Sequence, residues 1–252
     1  MRDPYRLSDR VILVLARLVL TRTKKAKKAL LVKGFDELNV IHAMEDLYEG
    51  MDQDNRESFR ELYCWRYIEV LLDLRKKREA DELVEMYLIG WLPLKKEEIR
   101  KTDSGKLLEL AEKTPVPKGS RMGKKADRYL KQLLETPNPV TQVAYDAEVF
   151  RKRDRAAEAV NAAVGKRAKQ IEMDRQARYW SRAADWYADL VTEDANEDAI
   201  RDAGYKRVRW ITQRDGRVCA ECERMDGLIF PVRQIPDHPH RACRCYVEPV
   251  KE

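Results

Sequence analysis

Apolar residues recur at helical spacing through most of the chain, and alternate as strands do only near its end. The first such segment, residues 7–32, predicts one helix, and residues 35–55 predict a second. A third helix is predicted over residues 56–89, because Gly90 and Pro93 then interrupt the pattern. The buried stripe of the second helix is predicted to consist of Phe35, Leu38, Ile41, Met44, Leu47 and Tyr48.

The second half of the chain continues as long helices. Prolines near residue 138 break one helix, and the next is predicted to reach the region of Gly165. Another amphipathic segment continues to Leu190. Thr192 is predicted to N-cap a further short helix that stops before Gly204.

Strand-like alternation appears in the last fifth of the sequence. Residues 205–212 alternate with period two, and residues 228–230 follow the turn formed by Asp226 and Gly227. Residues 245–248 supply a third candidate strand. The fold class predicted is therefore mainly α: an elongated helical N-terminal part and long helices, followed by a small C-terminal α+β module.

Composition agrees with a mainly helical protein and adds a charge pattern. Charged residues make up 37% of the chain, and only 10 glycines and 10 prolines occur in 252 residues. The segment 1–33 carries ten Lys and Arg against two acids, whereas the segment 35–55 carries seven acids and no Lys or Arg. These opposed blocks predict an antiparallel helix pair with complementary faces. The apolar run at residues 11–16 is too short to cross a bilayer, so no membrane contact is expected.

Residues 95–125 lack a clear apolar period and are predicted to be the most weakly structured stretch. Within them, residues 114–125 form a basic segment rich in Pro and Gly, interpreted either as a solubilising tether or as an arm that becomes ordered on a partner or on DNA. The domain organisation predicted is a helical region at 1–113, the linker at 114–125, a long-helix region at 126–204 and a small β module at 205–252.

Four of the five cysteines and two of the three histidines lie within the segment 219–245. Cys219 and Cys222 form a C-x-x-C pair, and a second Cys/His group includes His240. The separation of the two groups is typical of tetrahedral zinc sites, and a short tail with little apolar surface needs such a stabilising ion. The candidate ligands for a structural Zn²⁺ are Cys219, Cys222, His240, Cys243 and Cys245.

Five donors compete for four places in this site. The preferred set is Cys219, Cys222, His240 and Cys243, with Cys245 as substitute and His238 as a further candidate. Two disulfides, or reduced thiols in a small core, are the alternatives. The fifth cysteine, at position 64, is expected to lie in a helix core.

No phosphate-binding loop or nucleophile-elbow motif occurs in the sequence, and the donors suffice to close a metal shell. We therefore expect a structural site and no enzymatic activity. One alternative is a metal-dependent nuclease, because Cys219, Cys222 and the pair Asp237-His238 resemble the opening of an HNH endonuclease. That fold needs a further ligand-bearing helix, for which the segment after His238 is too short. Another alternative is a zinc-ribbon adaptor whose DNA binding weakens steeply with salt.

The motifs around the cysteines also carry a family resemblance. The sequence Asp215-Gly-Arg-Val-Cys219 is followed by Met225-Asp-Gly-Leu-Ile-Phe-Pro231 and then by Cys243-Arg-Cys245. This order resembles the C-terminal module of phage head morphogenesis proteins, the Mu F-like minor head proteins encoded beside the portal gene. The family's His-Pro pair falls on His238, whereas its H-x-x-C spacing falls on His240.

Upstream segments, among them Arg178-Tyr-Trp-Ser-Arg182, are similar to the helical part of the same family, so that the resemblance covers roughly residues 130–252. It implies a minor capsid protein of a tailed phage, located in the host cytoplasm during assembly and then inside the procapsid and virion head. The partners it implies are the portal protein and the scaffold or major capsid protein, with non-specific DNA contact through basic segments. No small-molecule substrate is expected.

Overall fold

The computed structural model describes residues 5–75, 80–138, 142–213, 218–240 and 243–251. Within these ranges the helices are α1 (Arg6–Lys33), α2 (Glu37–Arg75), α3 (Asp81–Leu88), α4 (Lys96–Lys101), α5 (Ser104–Lys113), α6 (Arg121–Glu135), α7 (Tyr145–Ala162), α8 (Lys166–Asp202) and α9 (Ala220–Met225). The strands are β1 (Arg207–Ile211), β2 (Ile229–Pro231) and β3 (Tyr246–Pro249). The predicted mainly α fold with a small C-terminal antiparallel sheet is confirmed. None of the helices in the described ranges is long and apolar enough to span a membrane.

Two predicted helix boundaries are wrong, because the chain continues through them. α2 runs without a break across residue 55, where one helix was expected to end and another to begin. Thr192 lies inside α8 rather than at an N-cap, and its hydroxyl donates back to the carbonyl oxygen of Ala188 (3.0 Å). A threonine can satisfy its hydroxyl within a helix in this way, so its side chain alone does not define a helix start. The stop predicted before Gly204 is confirmed, and this glycine has a φ of +85°.

The predicted apolar stripe of the second helix is confirmed only in part. Met44, Leu47 and Tyr48 are buried in α2, whereas Leu38 is 61% exposed. Successive steps of three residues drift around a helix by about 60° each, so Leu38 lies on the opposite side of α2 from Leu47. The exposed Leu38 therefore belongs to the outer surface of the helix pair.

The prediction of weak structure over residues 95–125 is also wrong, since α4, α5 and the start of α6 occupy most of it. Contacts from both distant and adjacent residues hold these short helices and the loop that follows them. Arg75 donates to the carbonyl oxygen of Arg100 at the end of α4 (2.6 Å), and the Asp103 carboxylate caps α5. Trp91 donates from its indole nitrogen to the carbonyl oxygen of Thr114 (3.0 Å), which anchors the loop between α5 and α6.

The chain divides into two compact units that are discontinuous in sequence. One comprises residues 1–8, 59–131 and 188–252, and the other comprises residues 9–58 and 132–187. The four predicted domain ranges follow chain order, whereas these units do not, because α2 and α8 each contribute to both. The second unit has an aromatic core in which the rings of Tyr48 and Tyr145 pack 5.5 Å and 6.0 Å from Trp180.

In the first unit, a row of carboxylates on α8 accepts hydrogen bonds from tyrosines of α2 and α6. Asp194, Asp198 and Asp202, spaced four residues apart, accept from Tyr129 (2.7 Å), Tyr63 (2.5 Å) and Tyr67 (2.5 Å), respectively. This row satisfies polar groups that burial would otherwise leave without partners. It ties α8 to α2 and α6, and α8 in turn supports the C-terminal sheet.

Glu197, on the same helix, predicts a specific pH dependence of stability. Burial raises the pKa of its carboxyl from 4.5 to about 8. A raised pKa means that the folded state binds the proton more tightly, so its contribution to stability is lost as pH rises from about 4.5 to about 8. We expect Glu197→Gln to lose less stability than the wild type over this interval in urea unfolding. Parallel pH profiles for the two proteins would contradict the assignment.

Candidate metal centre

The small sheet brings the two cysteine-containing segments together. Its strand order is β2-β1-β3, and Ile211 at the end of β1 pairs with Tyr246 at the start of β3. Cys245 comes directly before β3 and therefore lies beside the end of β1, from which the chain leads to Cys219.

Cys219 and Cys222 form a tight knuckle at the start of α9. Cys219 is the N-cap residue, and its Sγ accepts a hydrogen bond from the amide of Cys222 (3.4 Å). That backbone donor lowers the pKa of the Cys219 thiol. The C-x-x-C segment thus presents the Cys219 sulfur, which accepts this hydrogen bond, close to the sulfur of buried Cys222.

A glycine turn carries the chain from α9 into β2. Gly227 has a φ of +80°, which residues other than glycine rarely adopt. Its amide donates to the carbonyl oxygen of Trp210 (2.9 Å). This hydrogen bond attaches the end of α9 to β1, and the start of α9 follows β1 along the chain.

All five predicted ligands converge in two overlapping groups. One group is Cys219, Cys222 and His240, and the other is Cys222, Cys243 and Cys245. Within each group the candidate ligand atoms lie within 4.8 Å of one another, and Cys222 belongs to both. The arrangement is a Cys/His cluster that can hold a metal ion.

The sulfurs of the cluster are close to one another without being bonded. The Sγ atoms of Cys222 and Cys243 lie 3.4 Å apart, and all five cysteines of the chain are free thiols. Cys243 and Cys245 are buried together with Cys222. Cys64 is buried in α2, which confirms its predicted place in a helix core.

The thiols of the cluster differ in pKa. The Cys243 thiol donates to Cys245, which raises the pKa of Cys243 and lowers that of Cys245 to about 6. Burial raises the pKa of Cys222 to about 12. A cluster of buried, mutually hydrogen-bonded thiols releases protons when a cation replaces them, so metal binding here is coupled to pH.

His238 lies outside both groups among the described residues and has a different partner. Its Nε2 is 2.7 Å from Oε2 of Glu193 on α8, and its ring packs 5.0 Å from that of Trp210. Burial lowers the pKa of His238, and the contact with Glu193 holds its imidazole against α8. Of the two candidate histidines, His240 is therefore the one that the structure brings to the cysteines.

Contacts from Tyr5 and from α8 hold the segment that contains Cys243 and Cys245, which we call the second knuckle. The Tyr5 hydroxyl donates to the carbonyl oxygen of Cys245 (2.7 Å) and lies within hydrogen-bonding distance of Glu193. Asn196 donates from Nδ2 to the carbonyl oxygen of Val247 (2.9 Å). Sequence reasoning missed these supporting residues, because each lies far along the chain from the cysteines and in no motif.

This geometry predicts different outcomes for the two histidines. We expect His238→Ala to leave metal affinity unchanged but to lose about 1–3 kcal/mol of stability, because Glu193 is left buried without that hydrogen-bond partner. His240→Ala is the matched comparison and is expected to lower metal affinity. Metal analysis and thermal unfolding of both variants test the assignment, and loss of metal in His238→Ala alone would overturn it.

The fold and the cluster define a mainly helical protein with a C-terminal Cys/His site suited to a metal ion. No protein-family model, curated protein or solved structure matches the chain. Residues 214–217 and 241–242, which include Asp215 of the family motif, lie outside the described residues.

Proposed function

We propose that the chain is a minor head protein of a tailed phage that associates with the portal and assists head morphogenesis or DNA delivery. A structural Zn²⁺ stabilises its C-terminal module. The observation that carries the proposal is the convergence of the motif cysteines with His240 beside a small sheet, in the order that the head morphogenesis family has. The long helices that precede this module supply extended surfaces for the portal, scaffold or major capsid protein.

The donor set favours zinc over other common metals. Thiolate and imidazole ligands suit Zn²⁺, whereas Mg²⁺ and Ca²⁺ require oxygen ligands. Cys219, Cys222, His240, Cys243 and Cys245 fit this requirement, because their donor atoms already lie within 4.8 Å of one another in two groups. When bound, the ion supplies cross-links between the knuckles of a module that has little apolar core of its own.

A closed structural site is preferred to a catalytic one because the five donors exceed the four places of tetrahedral zinc. The nuclease alternative requires His238 as a general base. The imidazole of His238 instead contacts Glu193 and Trp210. In addition, β3 follows Cys243 and Cys245 at the place where a nuclease would carry a ligand-bearing helix. These contacts favour an architectural role for His238 and give no support to the nuclease alternative.

Co-expression with the portal protein encoded in the same phage genome tests the functional proposal. We expect a complex that survives size-exclusion chromatography, with the phage's major tail protein as a non-binding control. The absence of a complex with portal, scaffold or major capsid protein would contradict the proposal. Plasmid nicking that depends on His238 would replace it with the nuclease, and DNA binding that falls steeply with salt would replace it with the zinc-ribbon adaptor.

A further inference from the structure

The outer side of α1 carries a stripe of aliphatic and basic residues that faces solvent. Its members recur at i, i+4, i+7, i+11, i+15 and i+18, so they share one face of the helix. All are exposed; they are Leu13, Arg17, Leu20, Lys24, Lys28 and Leu31. We call this stripe the basic face of α1.

The neighbouring helix has an exposed stripe of the opposite charge. Along the first part of α2, residues at i, i+4, i+8, i+11, i+15 and i+19 share a face and are exposed: Leu38, His42, Asp46, Glu49, Gln53 and Glu57. We call this stripe the acidic face of α2. The turn at Gly34 joins α1 to α2, and a bidentate ion pair between Arg22 and Asp54 links the two helices side by side.

Most of the charged side chains on these two faces make no ion pair within the described part of the chain. Among the described residues, no ion pair involves the side chains of Arg17, Lys24, Lys28, Asp46 and Glu49. The complementary blocks expected from sequence are thus joined by the pair of Arg22 and Asp54, while the outer charges remain available. Complementary charges of this kind select a partner and its orientation.

Exposed leucines add an apolar component to the basic face. Leu13, Leu20 and Leu31 are 62%, 58% and 48% exposed. Covering them removes aliphatic surface from water, which stabilises an interface. Between the helices lies a groove whose lining includes the small residues Ala26, Ala29, Ala43 and Gly50, which lets the side chains of another helix approach closely.

The acidic face narrows the choice of partner. An anionic bilayer or a nucleic acid would bind only the basic face and would leave the exposed carboxylates of Asp46 and Glu49 unmatched. A second copy of this chain, related by a two-fold axis, instead offers an acidic face to each basic face. Such a contact is isologous and uses both complementary stripes at once.

We propose that the α1–α2 hairpin is a self-association surface on which two copies pair, the basic face of α1 on the acidic face of α2. The contact is independent of the metal centre and of the phage assignment. It requires only the two stripes and the leucines between their charges.

Charge reversal on each face tests this pairing with the full-length protein. The first variant carries Arg17→Glu, Lys24→Glu and Lys28→Glu, and the second carries Asp46→Lys and Glu49→Lys. These side chains have no ion-pair partner among the described residues, so both variants are expected to keep the wild-type circular dichroism. Sedimentation velocity from about 1 to about 100 µM then reports the mass of each protein and of their equimolar mixture.

We expect a dimer for the wild type, with affinity weakened at least tenfold in either variant alone, because like charges then oppose each other. In the equimolar mixture each reversed face meets a reversed face of opposite charge, so a dimer of the two variants is expected to form. A monomeric wild type, or variants that dimerise as tightly as it does, would overturn the proposal. So would wild-type binding to vesicles containing phosphatidylserine, or to duplex DNA, if the protein stays monomeric in solution.

Discussion

With the proposed zinc site, Cys222→Ser is expected to abolish zinc binding and to unfold the C-terminal module. Cys222 is the one residue common to both donor groups, and its sulfur is buried. Structural zinc contributes an apparent free energy of about 10–16 kcal/mol, which is as large as the whole stability of most domains. Residues 205–251 should therefore become disordered, while the far-UV circular dichroism of the long helices is retained.

Limited trypsin digestion with metal analysis measures this outcome. Arg207 and Arg209 lie in β1 and are protected when the strand pairs on both sides, so cleavage there reports unfolding of the module. Cys64→Ser is the matched control, because Cys64 is equally buried but lies in α2, away from the donor groups. A Cys222→Ser protein that keeps stoichiometric zinc and resists cleavage at these arginines would contradict the assignment.

Glu69→Ala is expected to lower the free energy of unfolding by about 3–5 kcal/mol, because it leaves a buried charge without its partner. Glu69 and Arg66 form a 2.9 Å ion pair on α2 in which each side chain is 1% exposed. Without the carboxylate, the remaining described partner of the guanidinium is Asn196 (3.0 Å). Asn196 also donates from Nδ2 to the carbonyl oxygen of Val247 in β3.

Urea unfolding in the presence of excess zinc measures this effect with the metal site saturated. The control is the double variant Arg66→Met, Glu69→Leu, which replaces both charges by apolar groups of similar size. It is expected to recover most of the stability, because neither charge is then left buried alone. A cost below about 1 kcal/mol for Glu69→Ala would show that water or another group compensates the guanidinium.

The sequence predicted those features that depend on local pattern. β1 follows from period-two alternation and β2 from the turn at Asp226 and Gly227, and the donors follow from the spacing of the C-x-x-C pair and of the residues around His240. The stop at Gly204 follows from the freedom of glycine to adopt positive φ. Each of these properties depends on neighbours within a few residues.

Features that depend on distant residues were not predictable in the same way. α4 is short and polar, and its end is capped from Arg75. His238 is oriented by Glu193, which lies on another helix and in no recognisable motif. The separate roles of the two histidines therefore emerge only when α8 is packed against the sheet.

Adding a chelator to the purified native protein tests most directly whether a bound ion holds the C-terminal module in shape. Zinc release and tryptic cleavage in β1 are followed together during the titration. We expect one zinc per chain, released in step with exposure of Arg207 and Arg209 to the protease. A protein without zinc, or a module that stays protected after its zinc has been removed, would contradict this account.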